Sequence, residues 1–147
     1  MKRIRNILVA TDFSSASRPA FRRAVEMAAA SRATLWIGHV MPSVPASAGG
    51  DLLPRMYREM DLFIRDDAEK RLRALTKAAC RRGARARPLL LRGVPHEAIG
   101  RAARAHRADL VVLGTHGRTG VARFLIGSVA ARVLATAPCP VLTVRPR

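Results

Sequence analysis

Between residues 114 and 128 the chain reads Gly114-Thr-His-Gly117-Arg-Thr-Gly120-Val-Ala-Arg-Phe-Leu-Ile-Gly127-Ser128. Glycines at 114 and 117 let a chain turn tightly and bring its backbone close to a ligand, because no Cβ intervenes. Gly127-Ser128 stands where a helix opens, and the first N–H groups of a helix are unpaired while its dipole favours an anion. A loop that leaves a strand and returns at a helix N-terminus can cradle a phosphate, with the Ser128 hydroxyl as a further donor. The same residues also make an ordinary glycine-rich turn with Ser128 as its N-cap, and physical chemistry alone leaves both readings open. His116 can donate to a phosphate, act as a base, or brace its own loop. Arg118 and Arg123 can neutralise phosphate charge or belong to a solvated basic surface.

Those residues need elements to hold them. Ile4–Ala10 is a short apolar run ended by the polar turn Thr11-Asp-Phe-Ser14, which predicts a buried strand. A helix follows, capped by Ser14 or Ser17, with Pro19 in its first turn. Ala33–Val40 reads as a second strand, and Pro42 to Gly50 as a loop. Leu52, Met56, Met60, Ile64, Ala68, Leu72, Leu75 and Ala79 then recur every three or four residues, one apolar stripe expected to pack a long helix on a sheet until Gly83 ends it. Arg85–Arg92 is a third strand, restricted to an edge by Pro88, and Pro95 opens a helix to about His106. Asp109–Gly114 is apolar on both faces, as in a covered parallel sheet. Ser128–Ala137 is a short helix and Cys139–Arg145 a fifth strand.

The order βαβαβαβαβ predicts one α/β domain over residues 1–147, a doubly wound sheet of five parallel strands with about four helices. Ligands of such sheets bind beyond the carboxyl ends of the strands, where strand order reverses. That rule nominates the residues after Val9, Val40 and Leu113.

The chain has 147 residues, 49% of them hydrophobic, enough for a core without staples. Cys80 and Cys139 have no CxxC spacing, which excludes a cysteine-stapled module and fits a reducing compartment. The apolar runs are too short for a membrane span, and that of the N-terminal segment stops at Asp12, short of signal-peptide length. A cytoplasmic protein is expected. Its net charge of +17 comes from 27 Lys and Arg against 10 Asp and Glu, but the arginines are dispersed from Arg3 to Arg147 and aromatics make up only 4% of the chain. Single-stranded nucleic-acid binders interleave basic residues with stacking aromatics, so a solvated basic surface is expected instead. His96, His106 and His116, ten residues apart, match no metal spacing.

Gly114, Gly117, Gly127 and Ser128 form Gly-x2-Gly-x9-Gly-Ser, which resembles the nucleotide-binding signature of the universal stress protein family. Asn6-Ile-Leu-Val-Ala-Thr-Asp-Phe-Ser14, His39-Val40, Ala108-Asp-Leu-Val-Val-Leu-Gly114 and Ala137-Pro-Cys-Pro-Val-Leu-Thr-Val144 are similar to the family too; only about Ser43 to Leu62 lacks a match. The resemblance implies a flavodoxin-like, Rossmann-like domain that binds ATP or another adenine nucleotide in a stress-response or regulatory role. Gly114, Gly117, Gly127, Ser128 and the backbone of Val129 then correspond to ribose and phosphate contacts. Ala10, Thr11 and Asp12 correspond to the nucleoside side, Val40 to the adenine contact, and Arg118 is a candidate phosphate partner. A magnesium or manganese ion would be held mainly by the phosphates, with Asp12 either positioning it or simply capping its own turn.

The chain lacks GxxxxGK[ST], HExxH and GxSxG, so binding is expected rather than efficient catalysis. A slow ATP hydrolase, with His116 or Asp12 placing water, and a basic nucleic-acid or acidic-partner binder are the alternatives. Val141 to Val144 carries no charge or proline that would blunt a sheet edge. Strand 140–145 is therefore expected to pair with its own copy in a homodimer, as the resemblance also implies.

Overall fold

A computed structural model describes residues 3–41, 53–115 and 126–145. Five strands, β1 (Asn6–Ala10), β2 (Thr34–Met41), β3 (Arg85–Arg92), β4 (Leu110–Gly114) and β5 (Val141–Val144), make one sheet in the order β3-β2-β1-β4-β5. Every pairing in it is parallel. The helices are α1 (Arg18–Ser31), α2 (Leu53–Arg81), α3 (Pro95–Ala105) and α4 (Ser128–Thr136). Strand order climbs outward from β1 on one side and from β4 on the other, so the reversal falls between these two central strands.

Alternation along the strands divides the core into two layers. Ile7 and Val9 of β1 point with Leu35, Ile37 and Val112 toward α1 and α2, where Ala24, Val25, Leu72 and Ala79 meet them. Leu8 points the other way with Val111 and Leu113, against Ile99 and Ala102 of α3 and Val133 of α4. Both faces are covered, which is why β4 is apolar at every position. Pro88 lies in β3, which pairs with β2 alone, as an edge strand must.

Two expectations need correction. The apolar stripe of α2 does not pack along its length: Ala68, Leu72 and Ala79 are buried, but Met56, Met60 and Ile64 are 63%, 57% and 43% exposed. Leu52 falls outside the described residues. A helix of 29 residues is about 43 Å long, whereas the eight residues of β2 reach only about 27 Å, so its N-terminal half overhangs the sheet. Ser17 is the N-cap residue of α1 by position but makes no side-chain cap. A single 3-10 turn over Ser15–Ser17 precedes the helix, and the Ser17 hydroxyl turns inward, donating to the Ser14 carbonyl at 2.9 Å and lying 3.0 Å from the Thr11 hydroxyl.

Candidate functional site

Where the strand order reverses, a cavity of about 360 Å³ opens beyond the carboxyl ends of the strands. One wall is the chain leaving β1, namely Ala10, Thr11 and Asp12. Val40, with Gly38 and His39, comes from β2. Gly114 ends β4, and Gly127, Ser128 and Val129 come from the start of α4. These positions are far apart in sequence, and all were nominated from sequence except Gly38 and His39. Gly117, Arg118, His116 and Arg123 lie outside the described residues.

The β1 wall is a braced turn. The Thr11 amide donates to the Gly38 carbonyl at 2.9 Å, and the Thr11 hydroxyl accepts the Phe13 amide at 3.0 Å. Asp12 Oδ1 accepts both the amide of Ser14, at 3.0 Å, and its hydroxyl, at 2.6 Å. Burial pushes the Asp12 carboxyl up, but the hydrogen bonds from Ser14 and Ser17 outweigh it and hold the group below the ordinary carboxylate value. An ionised carboxylate is therefore fixed at the cavity wall. It does cap its own turn, and it stands on the cavity while doing so.

The α4 wall is a helix mouth. Gly127 is the N-cap residue, Ser128 is the first helical residue, and no side chain caps the helix. Ser128 is thus not the N-cap that the ordinary-turn reading assigns. The Gly127 amide is used by the Thr115 carbonyl at 2.7 Å. The amides of Ser128, Val129 and Ala130, which all line the cavity, have no acceptor among the described residues. Three successive N–H groups at the positive end of a helix form an anion-binding corner.

Between these polar walls the surface is apolar, with Val40 opposite Ile99 and Leu113. No lysine or arginine is among the described residues that line the cavity, despite the net charge of +17. Much of the charge on α2 is instead absorbed by ion pairs one turn apart, such as Arg65–Glu69 at 2.9 Å and Lys70–Asp66 at 2.7 Å.

Sequence reasoning missed several wall residues. His39 is held by a 2.8 Å bond from its Nδ1 to the Thr11 carbonyl and stacks on Phe13 with ring centroids 4.2 Å apart. Because a carbonyl only accepts, Nδ1 carries the proton. The sequence shows only one polar residue in an apolar strand, a weak signal. Pro95 and Ile99 reach the cavity from α3 and carry no chemical signature at all. The cysteines stay apart from the site. Cys80 is exposed and Cys139 half-buried; burial, and secondarily Asp109, push the Cys139 thiol up, which disfavours the reactive thiolate.

A doubly wound parallel sheet with its cavity at the strand-order reversal, closed by a helix mouth, defines an α/β protein of the Rossmann-like class. The chain belongs to the universal stress protein family, whose family model matches residues 3–145. It is 34% identical over 146 residues to a universal stress protein of Methanocaldococcus jannaschii, covering 96% of this chain and 82% of that one. Universal stress protein UspA from Lactobacillus plantarum superimposes with a TM-score of 0.87 at 28% identity, over 99% of this chain and 100% of the other. A universal stress protein solved in complex with cAMP matches with a TM-score of 0.73 at 28% identity, over 99% and 100% of the two chains. Among the described residues no helix is long and apolar enough to cross a membrane.

Proposed function

We propose that the cavity binds an adenine nucleotide, ATP above all, and that the protein acts as a nucleotide-dependent regulator rather than an efficient enzyme. The observation that carries this reading is the pairing of an apolar slot with an uncapped helix mouth on the opposite wall. The slot, with Val40, accepts a flat base. Asp12, with Ala10 and Thr11, accepts hydrogen bonds from ribose hydroxyls. The N–H groups of Ser128 and Val129, with Gly114, Gly127 and the Ser128 hydroxyl, receive phosphate oxygens, and Gly117 and Arg118 extend that end. The cAMP complex of a relative adds support from outside the chain.

The donor set also fits a nucleotide carrying its own divalent cation. Among the described residues no cluster of three His, Cys, Asp or Glu could hold a metal alone, so magnesium or manganese would arrive on the phosphates, whose charge it offsets. Asp12 is poorly suited to take a proton from water, because a carboxylate held below its ordinary value is a weak base. Binding with little turnover follows.

The test is to denature freshly purified protein and identify the released small molecules by mass spectrometry, then to titrate ATP, AMP, cAMP and GTP calorimetrically. An adenine nucleotide in the extract and micromolar ATP affinity are expected. Protein that releases no nucleotide and binds none of the four overturns the reading.

A further inference from the structure

On the opposite side of the β1–α1 turn lies another cavity, of about 300 Å³, between that turn, α1 and α2. It shares Thr11 and Ser17 with the first, and the hydrogen-bonded hydroxyls of these two buried residues form part of the partition. Its apolar surface is made by Phe13, Phe21, Ala74 and Leu75. Two guanidinium groups, of Arg18 and Arg71, stand among its lining residues. Arg71 is held in place twice, by Asp67 at 2.8 Å and by the Phe13 ring 5.6 Å below its central carbon. Arg18 is exposed and its side chain makes no hydrogen bond or ion pair.

We propose that this second cavity is a binding site for small carboxylates that carry an aryl or branched alkyl body. An apolar floor between aromatic rings rewards burial of a compact hydrophobic group. The guanidiniums supply planar donor pairs whose geometry matches a carboxylate, and the unpaired Arg18 is the group that most gains from an anion. Inorganic phosphate has no apolar body to bury, and a neutral amide has no charge to offer. The site does not depend on what the first cavity holds.

Benzoate is the probe, titrated into the intact protein while the Leu75 methyl resonances are followed by NMR. For a ligand of nine non-hydrogen atoms a Kd of about 1 mM is expected. Benzamide should bind at least about tenfold more weakly, and phosphate should leave Leu75 unshifted, which separates the site from the general attraction of a basic surface for anions. Arg18→Gln and Arg71→Gln should each weaken benzoate about fivefold or more. Ala74→Trp, at an exposed position of α2 that lines the cavity, should fill it and abolish the shifts. Arg104→Gln, on the exposed face of α3, should bind benzoate like the parent. Absence of Leu75 shifts up to about 10 mM benzoate, equal binding of benzamide, or benzoate binding that survives Ala74→Trp overturns the proposal.

Discussion

The side chain of Asp109 reaches across to the start of β1, where its Oδ2 accepts the backbone N–H of Arg5 at 2.9 Å. The same oxygen accepts the Asn6 amide at 3.1 Å, and the Asp109 amide returns a bond to the Asn6 carbonyl at 2.8 Å. The carboxylate thus ties the N-terminal ends of the two central strands together, and their other ends carry the candidate site. Asp109→Ala leaves two amides without this acceptor and should lower the unfolding free energy by about 1–2 kcal/mol, read as a lower urea midpoint at unchanged slope. Asp109→Asn retains an acceptor oxygen and should lose less. An unchanged midpoint for Asp109→Ala would show that water replaces the carboxylate at no cost.

Gly127→Val addresses the helix mouth. Gly127 has φ −57° and ψ 150°, a conformation open to any residue, so the variant should fold without backbone strain. A branched side chain beside the amides of Ser128 and Val129 should obstruct phosphate approach. ATP affinity is expected to fall at least tenfold, about 1.4 kcal/mol, by calorimetry on protein with an unchanged circular dichroism spectrum. Parental ATP affinity in the folded variant would contradict the phosphate corner.

Turnover is the next quantity. Typical enzymes run at about 10 per second, and steady-state phosphate release from ATP is expected far below that with either magnesium or manganese. Rapid hydrolysis abolished by Asp12→Asn or by a His116 substitution would make this protein an enzyme.

Asp12 also makes stability depend on pH. Its carboxyl is held below the ordinary value of 3.8 in the folded chain, so the ionised form favours the native state. That contribution is complete above the unfolded value and is lost as pH falls through the lower folded one. Urea unfolding of the parent and of Asp12→Asn should therefore differ by a constant amount near neutrality. The difference should shrink as pH drops below about 4. A gap that stays the same down to pH of about 2 would show that the Ser14 bonds do not favour the charged form.

The fold was legible because its signal is redundant. Each of β1, β2 and β4 is an apolar run bounded by turn residues, and Pro88 alone places β3 at an edge. The α2 stripe misled because periodicity reports that a helix has an apolar side, not that a partner runs its whole length. Met56 and Ala68 are equivalent in the pattern, yet one is 63% exposed and the other 3%. At the site, Asp12 and Gly127 were legible because they sit where strand ends and helix starts must meet. His39 and Ile99 were not, since their place on the wall follows from packing across the sheet rather than from anything local. The Phe13 backbone, at φ 63°, was equally hidden: a bulky residue seldom adopts that region.

Assembly through β5 is the last expectation, and the structure changes the reason for it. Leu142 and Val144 pack against one core layer and Val141 against the other, so the apolar character of both faces is explained within one chain. All four residues nevertheless remain half-exposed. β5 pairs with β4 alone, which leaves an outer edge of backbone donors and acceptors that no charge or proline interrupts. Antiparallel pairing of that edge with its own copy about a two-fold axis would satisfy those groups and cover the side chains together. A dimer at micromolar concentration is therefore expected by light scattering. Leu142→Pro, which removes one N–H and distorts the edge, should yield a folded monomer. A monomeric mass for the parent chain would defeat this expectation, and so would a dimer that persists in the folded Leu142→Pro variant.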